Sequence, residues 1–159
     1  MSGGTLAHGR LCSNVHFRLR QRLSGGRCQV FTSEMPVKTH TLLPYRYPDI
    51  TVVCGDLLVE KMRGIDALVN PVLIVEVLSP TSEERDHQDK FTAYQAIPSF
   101  SEYLLVAQDA PHVTHYTRQQ DGKWTREDLT GIAAVLTLSS LDCTLALNEI
   151  YEDVTFSAV

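Results

Sequence analysis

No apolar run in this chain approaches the ~20 residues that a membrane-spanning helix needs, and the opening Met-Ser-Gly-Gly-Thr-Leu-Ala-His has no apolar centre of the kind a secretory leader requires. Cysteine is sparse. Cys12, Cys28, Cys54 and Cys143 stand far apart, with no CxxC and no paired histidine spacing. Neither a zinc site nor a dense disulfide framework is expected; reduced thiols in a cytoplasmic protein are. Basic residues are also in deficit, 14 Lys and Arg against 19 Asp and Glu, for a net charge of −5. Taken alone, that balance argues against a chain devoted to coating nucleic acid. Aromatics make up 8% of the residues; Trp124 and the tyrosines read as packing groups rather than base-stacking platforms. Internal repeats and low-complexity segments are absent as well.

What is present is an ordinary globular composition, 43% apolar and 21% charged over 159 residues. A chain of that length forms one domain, residues 1–159, and buries roughly two-thirds of its unfolded surface. The charge is unevenly spread: residues 1–50 hold seven basic and two acidic side chains, and the remainder seven and seventeen. Such a partition can set phosphate-binding groups beside a carboxylate metal site. A chance partition of a solvated surface explains it equally well.

The first periodic stretch lies between Leu6 and Leu23. Leu11, Val15, Leu19 and Leu23 recur every four residues, the apolar stripe of an amphipathic helix, and Ser24-Gly25-Gly26 ends it. His8, near its start, is placed where an imidazole could face a site, but it reads first as an ordinary exposed or capping histidine. Gln29 to Val37 reads as a strand closed by Pro36, and Thr39 to Tyr47 as a loop. Pro48 opens a further strand, with Asp49 at its mouth and Ile50 to Cys54 continuing it. Gly55 to Asn70 reads as a long exposed connection. Glu102 to Gln108 is a strand, His112–Thr117 and Trp124–Leu129 form a hairpin around Asp121-Gly122, and Leu145 to Tyr151 suggests a short closing helix.

The centre of the chain is more definite. Val72 to Leu78 is a β-rich apolar run interrupted once, by Glu76, and such a run reads as a strand buried on both faces. A carboxylate there loses its hydration and needs a cation or a hydrogen-bond network in return. Ser79-Pro80 breaks the ladder, Thr81 and Glu84 have capping-box spacing, and a helix runs to about Ile97 before Pro98. Asp86, Lys90 and Tyr94 share one face of it. Lys90 is therefore a cation able to lean toward Glu76. As a bland alternative, Asp86 and Lys90 form a surface pair and main-chain donors or a first-helix arginine satisfy Glu76.

Two acids on neighbouring buried strands with a lysine nearby suit metal-assisted phosphodiester hydrolysis, since Mg2+ prefers carboxylate oxygens and retains water. The carbonyl of Val77 adds a candidate main-chain ligand.

Pro48-Asp49, Glu76-Val77-Leu78-Ser79-Pro80-Thr81, Asp86, Lys90, Tyr94 and Glu102-Tyr103 together resemble the signature of the Uma-type restriction endonuclease family, a branch of the PD-(D/E)XK nuclease-like superfamily. The resemblance spans nearly the whole chain. It implies an α/β, restriction-endonuclease-like fold, a mixed β-sheet flanked by helices, with Asp49 and Glu76 as Mg2+ ligands (Mn2+ as a substitute) and Lys90 assisting the attacking water. DNA is the implied substrate and a homodimer the implied assembly. In the superfamily the lysine usually sits two residues after the Glu, where this chain has Leu78; the family pattern points to Lys90 on the next helix instead. Family members usually carry more sequence before the first helix, so an N-terminal segment is expected to be missing here. A catalytically inactive nuclease-fold module that binds DNA or a protein partner is the alternative.

Overall fold

The structure is a computed structural model and describes residues 4–79 and 84–156. The first helix, α1 (Leu6–Leu23), starts where the Thr5 side chain accepts the His8 amide at 3.1 Å, which satisfies one of the otherwise unpaired first-turn donors. It ends at Ser24, and Gly25 follows with φ +77°, a conformation that glycine adopts without a Cβ penalty. Leu11, Val15, Leu19 and Leu23 are buried, as their spacing predicts. Each contributes roughly 1.5–3 kcal/mol relative to exposure.

The strands follow as β1 (Cys28–Thr32), β2 (Val37–Lys38), β3 (Tyr45–Arg46), β4 (Ile50–Cys54), β5 (Val59–Met62), β6 (Ile65–Leu68) and β7 (Leu73–Val77). After helix α2 (Glu84–Gln95) come β8 (Glu102–Val106), β9 (His112–Arg118), β10 (Trp124–Thr130), β11 (Val135–Leu138), β12 (Cys143–Ala146) and the one-turn α3 (Leu147–Ile150). Among the described residues the main sheet runs β1-β4-β7-β8-β9-β10. It is mixed: β7 and β8 are parallel, joined through α2, and the other neighbours are antiparallel. Among the described residues no helix is long and apolar enough to cross a membrane.

Alternation along β7 divides the core. Leu73, Val75 and Val77 join α1, α3 and the β11–β12 pair in one apolar cluster, while Ile74 joins Tyr94, Ile97, Phe100 and Tyr103 in the other. All five residues of β7 are buried, so the strand is covered on both faces, as its unbroken apolar run predicts. Glu76 shares the α2 side with Ile74. The aromatic residues pack, as expected: Phe91 lies 5.1 Å from both Tyr103 and Trp124 between ring centroids, and Phe100 is 5.1 Å from Trp124.

Several expectations need correction. The stretch read as one strand from Gln29 to Val37 is two, in different sheets, because the chain turns after Thr32, with the Met35 amide bonded to the Thr32 carbonyl at 3.1 Å. The loop from Thr39 to Tyr47 contains β3, which pairs with β2. Gly55 to Asn70 is exposed through residue 66, as expected, but it is not a plain connection. It folds as the β5–β6 hairpin around Arg63 and Gly64, both at positive φ, and buries Ala67 and Leu68. The usual asparagine or aspartate before the glycine is absent from this turn, and β5 is exposed throughout, so neither turn chemistry nor alternation marked it. Helix α2 stops at Gln95 rather than near Ile97, whose amide closes a final turn onto the Tyr94 carbonyl at 3.0 Å. Pro80 and Thr81 lie outside the described residues.

The thiols also differ from expectation. Cys28 and Cys54 are register partners across β1 and β4 and form a disulfide; Cys12 and Cys143 are free. Twenty-six residues separate the bonded pair, and only strand pairing reveals that they meet.

Candidate functional site

The site forms where β4 and β7 run side by side. Ile50 pairs with Val75, Thr51 with Ile74 and Val52 with Leu73. One further step of this antiparallel register brings Asp49 level with Glu76. A one-residue slip of β7 in this register would turn Glu76 from the α2 side into the apolar cluster on the α1 side.

Asp49 ties the end of β4 to two elements. Its Oδ2 accepts the Val77 amide at 2.7 Å, and its Oδ1 lies 3.4 Å from His8 Nε2 on α1. Val77 thus meets Asp49 through its N–H; its carbonyl is the group named as a candidate ligand.

Glu76 is 6% exposed. Tyr94 donates its hydroxyl to Glu76 Oε1 at 3.2 Å, and Lys90 Nζ stands 3.8 Å from Oε2 and 3.4 Å from Asp86 Oδ2. The four-residue spacing on α2 thus brings Asp86, Lys90 and Tyr94 to one side, with two of the three on the Glu76 carboxylate. Among the described residues no first-helix arginine pairs with Glu76: Arg18 and Arg22 pair with Glu149, and Arg18 also with Glu152, at the far end of the chain.

Burial pushes the Glu76 carboxyl up to about 7; the Lys90 ammonium pulls it down, and the charge of Asp49 adds to the upward push. The opposition of these effects is informative. A buried acid is being held partly uncharged because one ammonium at 3.8 Å does not offset lost hydration and a second carboxylate. A divalent cation between the two acids would remove that deficit, and the oxygen donors suit Mg2+ or Mn2+.

One neighbour escaped the sequence reading. Cys12 Sγ lies 3.6 Å from His8 Nδ1 and 3.9 Å from His8 Nε2. Its thiol is pushed up to about 12, first by burial and then by the charges of Asp49 and Glu76. The His-x-x-x-Cys spacing on a helix is the signal available; CxxC and paired-histidine spacings do not include it.

A second buried polar cluster lies apart from the site. Glu102 is fully buried; its Oε1 accepts the Ser140 amide at 2.7 Å and also the Ser140 hydroxyl, and its Oε2 meets His115 Nε2. With every carboxylate oxygen engaged by protein groups, this cluster ties β8, β9 and the turn between β11 and β12 together.

The chain matches the family described as "Uma2: Putative restriction endonuclease" over residues 1–148, and it belongs to that family. It is 28% identical to the uncharacterized protein slr1290 of Synechocystis over 156 residues, covering 98% of this chain and 80% of the relative. With the uncharacterized protein sll1609 of the same organism it is 32% identical over 143 residues, 87% of this chain and 78% of the relative. The fold is similar to the crystal structure of a "putative nuclease belonging to DUF820" from Anabaena variabilis, with a TM-score of 0.73 and 18% identity over 95% of this chain and 82% of that one. The restriction-endonuclease-like mixed α/β fold expected from the sequence is therefore the fold observed.

Proposed function

We propose that this member of the Uma2 family is a Mg2+-dependent DNA endonuclease that hydrolyses phosphodiester bonds as a single domain. Asp49 and Glu76 hold the metal, with the Val77 carbonyl as a main-chain ligand, and Lys90 assists the attacking water. The observation that carries this reading is the state of Glu76: a buried carboxylate, raised to about 7, beside a second acid and one ammonium. When bound, Mg2+ or Mn2+ supplies a more acidic water and shields the charge that builds on phosphorus.

The protein's own groups do the rest. Tyr94 holds Glu76 Oε1 in place from α2, so that carboxylate presents its other oxygen without rotating freely. The Val77 amide does the same for Asp49 Oδ2. Such fixed orientation avoids reorganisation during reaction. Lys90 lies beside the Glu76 carboxylate, where its ammonium can orient water and oppose the negative charge of a scissile phosphate. Asp86, 3.4 Å from Lys90, steadies that ammonium from the solvent side.

Cutting both strands of a duplex requires two such sites, which motivates a homodimer. Action on cellular DNA motivates a cytoplasmic location. The alternative, a DNA- or partner-binding module without activity, is favoured by one feature: Leu78 occupies the position two residues after Glu76 where the superfamily usually has lysine.

Incubation of supercoiled DNA with Mg2+ or Mn2+ tests the proposal. The parent is expected to nick or linearise DNA, and Glu76→Ala and Lys90→Ala each to lose that activity. Cutting that persists in Glu76→Ala overturns the site. DNA binding with steep salt dependence and no cutting in any condition supports the binding module.

A further inference from the structure

The face of α1 that meets Asp49 carries a different kind of donor from the two acids. His8 and Cys12 are one helical turn apart and project to the same side. Their ligand atoms and an Asp49 carboxylate oxygen all lie within 4.8 Å of one another. His8 Nε2 is 3.4 Å from Asp49 Oδ1 and 3.9 Å from Cys12 Sγ. Tetrahedral coordination at ordinary Zn–N, Zn–O and Zn–S lengths puts nitrogen and oxygen ligands about 3.3 Å apart and nitrogen and sulfur about 3.6 Å apart. The two separations from His8 Nε2 are therefore close to those of a loaded site. A cavity of about 320 Å3 lined by His8, Cys12, His16, Thr32 and Asp49 opens beside the cluster, giving an ion a route in and leaving room for a water as fourth ligand.

We propose that His8, Cys12 and Asp49 form a three-ligand site for a transition-metal ion of the Zn2+ class. The donor chemistry separates it from the carboxylate site: imidazole and thiolate select Zn2+ or Co2+ over Mg2+. Asp49 is common to both sites, so the two ions compete for it. Zn2+ thereby antagonises binding of the hard cation at Asp49 and Glu76, a consequence that rests on the proposed nuclease reading; the three-ligand site itself does not. Cys12 ionises on binding, its proton passing to solvent as the S–metal bond forms.

Titration of the full-length protein with Co2+, followed by Zn2+ displacement, tests this. A thiolate-to-cobalt charge-transfer band in the near ultraviolet is expected at one equivalent. It should disappear in Cys12→Ser, persist in Cys143→Ser, and persist in Glu76→Ala. Zn2+ affinity by calorimetry should fall more than about tenfold in Cys12→Ser and in His8→Ala. His8 is partly exposed, so its replacement keeps the test open should Cys12→Ser fail to fold. Absence of the band in the parent, or a band that survives Cys12→Ser, overturns the site; so does loss of the band in Glu76→Ala, which would mean that the ligand set is not the one assigned. A protein that shows the band yet cuts no DNA under Mg2+ would refute the nuclease and leave this site standing.

Discussion

Tyr94 donates its hydroxyl to Glu76 across 3.2 Å, although the two residues are eighteen apart in sequence and lie on different elements. The bond closes the β7–α2 unit onto its own carboxylate. It also ties the protonation of Glu76 to the stability of the fold and, on the proposed reading, to metal binding and activity.

Stability without metal should fall as pH rises from about 4.5 to about 7. In this window the folded chain keeps a proton on Glu76 that the unfolded chain has released, because the folded value is raised. The effect is on the order of 3 kcal/mol by the width of the window and is complete above it. Glu76→Gln removes the titration, so the variant should gain on the parent through that range and hold its advantage above it. Urea denaturation in chelator across the range checks this; a constant difference between the two proteins rules it out.

Tyr94→Phe removes a donor that favours the ionised carboxylate. The midpoint of that stability change should move upward by about half to one pH unit, the equivalent of one hydrogen bond worth roughly 1 kcal/mol. The pH dependence of Mg2+ affinity should move in the same direction. An unmoved midpoint would show that the hydroxyl does not govern Glu76.

Glu102→Ala should destabilise the fold by about 3–5 kcal/mol, because it leaves His115 and the Ser140 amide buried without their carboxylate. Among the described residues the cluster shares no hydrogen-bond partner with Asp49 or Glu76. Metal affinity measured on the folded fraction should therefore be unchanged, and a loss of affinity would contradict the separation of the two clusters.

Alkylation of the denatured but unreduced protein should label Cys12 and Cys143, with Cys28 and Cys54 labelled only after reduction. Closing a loop of this length contributes roughly 3 kcal/mol. Dithiothreitol should accordingly lower the denaturation midpoint, and a Cys28→Ser, Cys54→Ser double variant should match the reduced protein and lose the response.

Much of the central unit was legible from the residues. The apolar run of β7 is long enough to demand burial on both faces, so Glu76 had to be desolvated wherever the strand lay in the sheet. The spacing of Asp86, Lys90 and Tyr94 placed them on one helix face, since a helix returns nearly to the same side every four residues. The hairpin around Asp121-Gly122 carried its own turn chemistry and is observed as β9 and β10. The β5–β6 hairpin carried none, and it was missed for that reason.

Local pattern, then, determined the stripe of α1, the buried character of β7 and the face of α2, because each depends on a period within one element. Tertiary pairing alone decided that Asp49 lies level with Glu76, that Cys28 joins Cys54, and that His8 and Cys12 come against Asp49. Such meetings depend on strand order and register, which arise from the fit of whole faces against one another and are written in no single stretch of the chain.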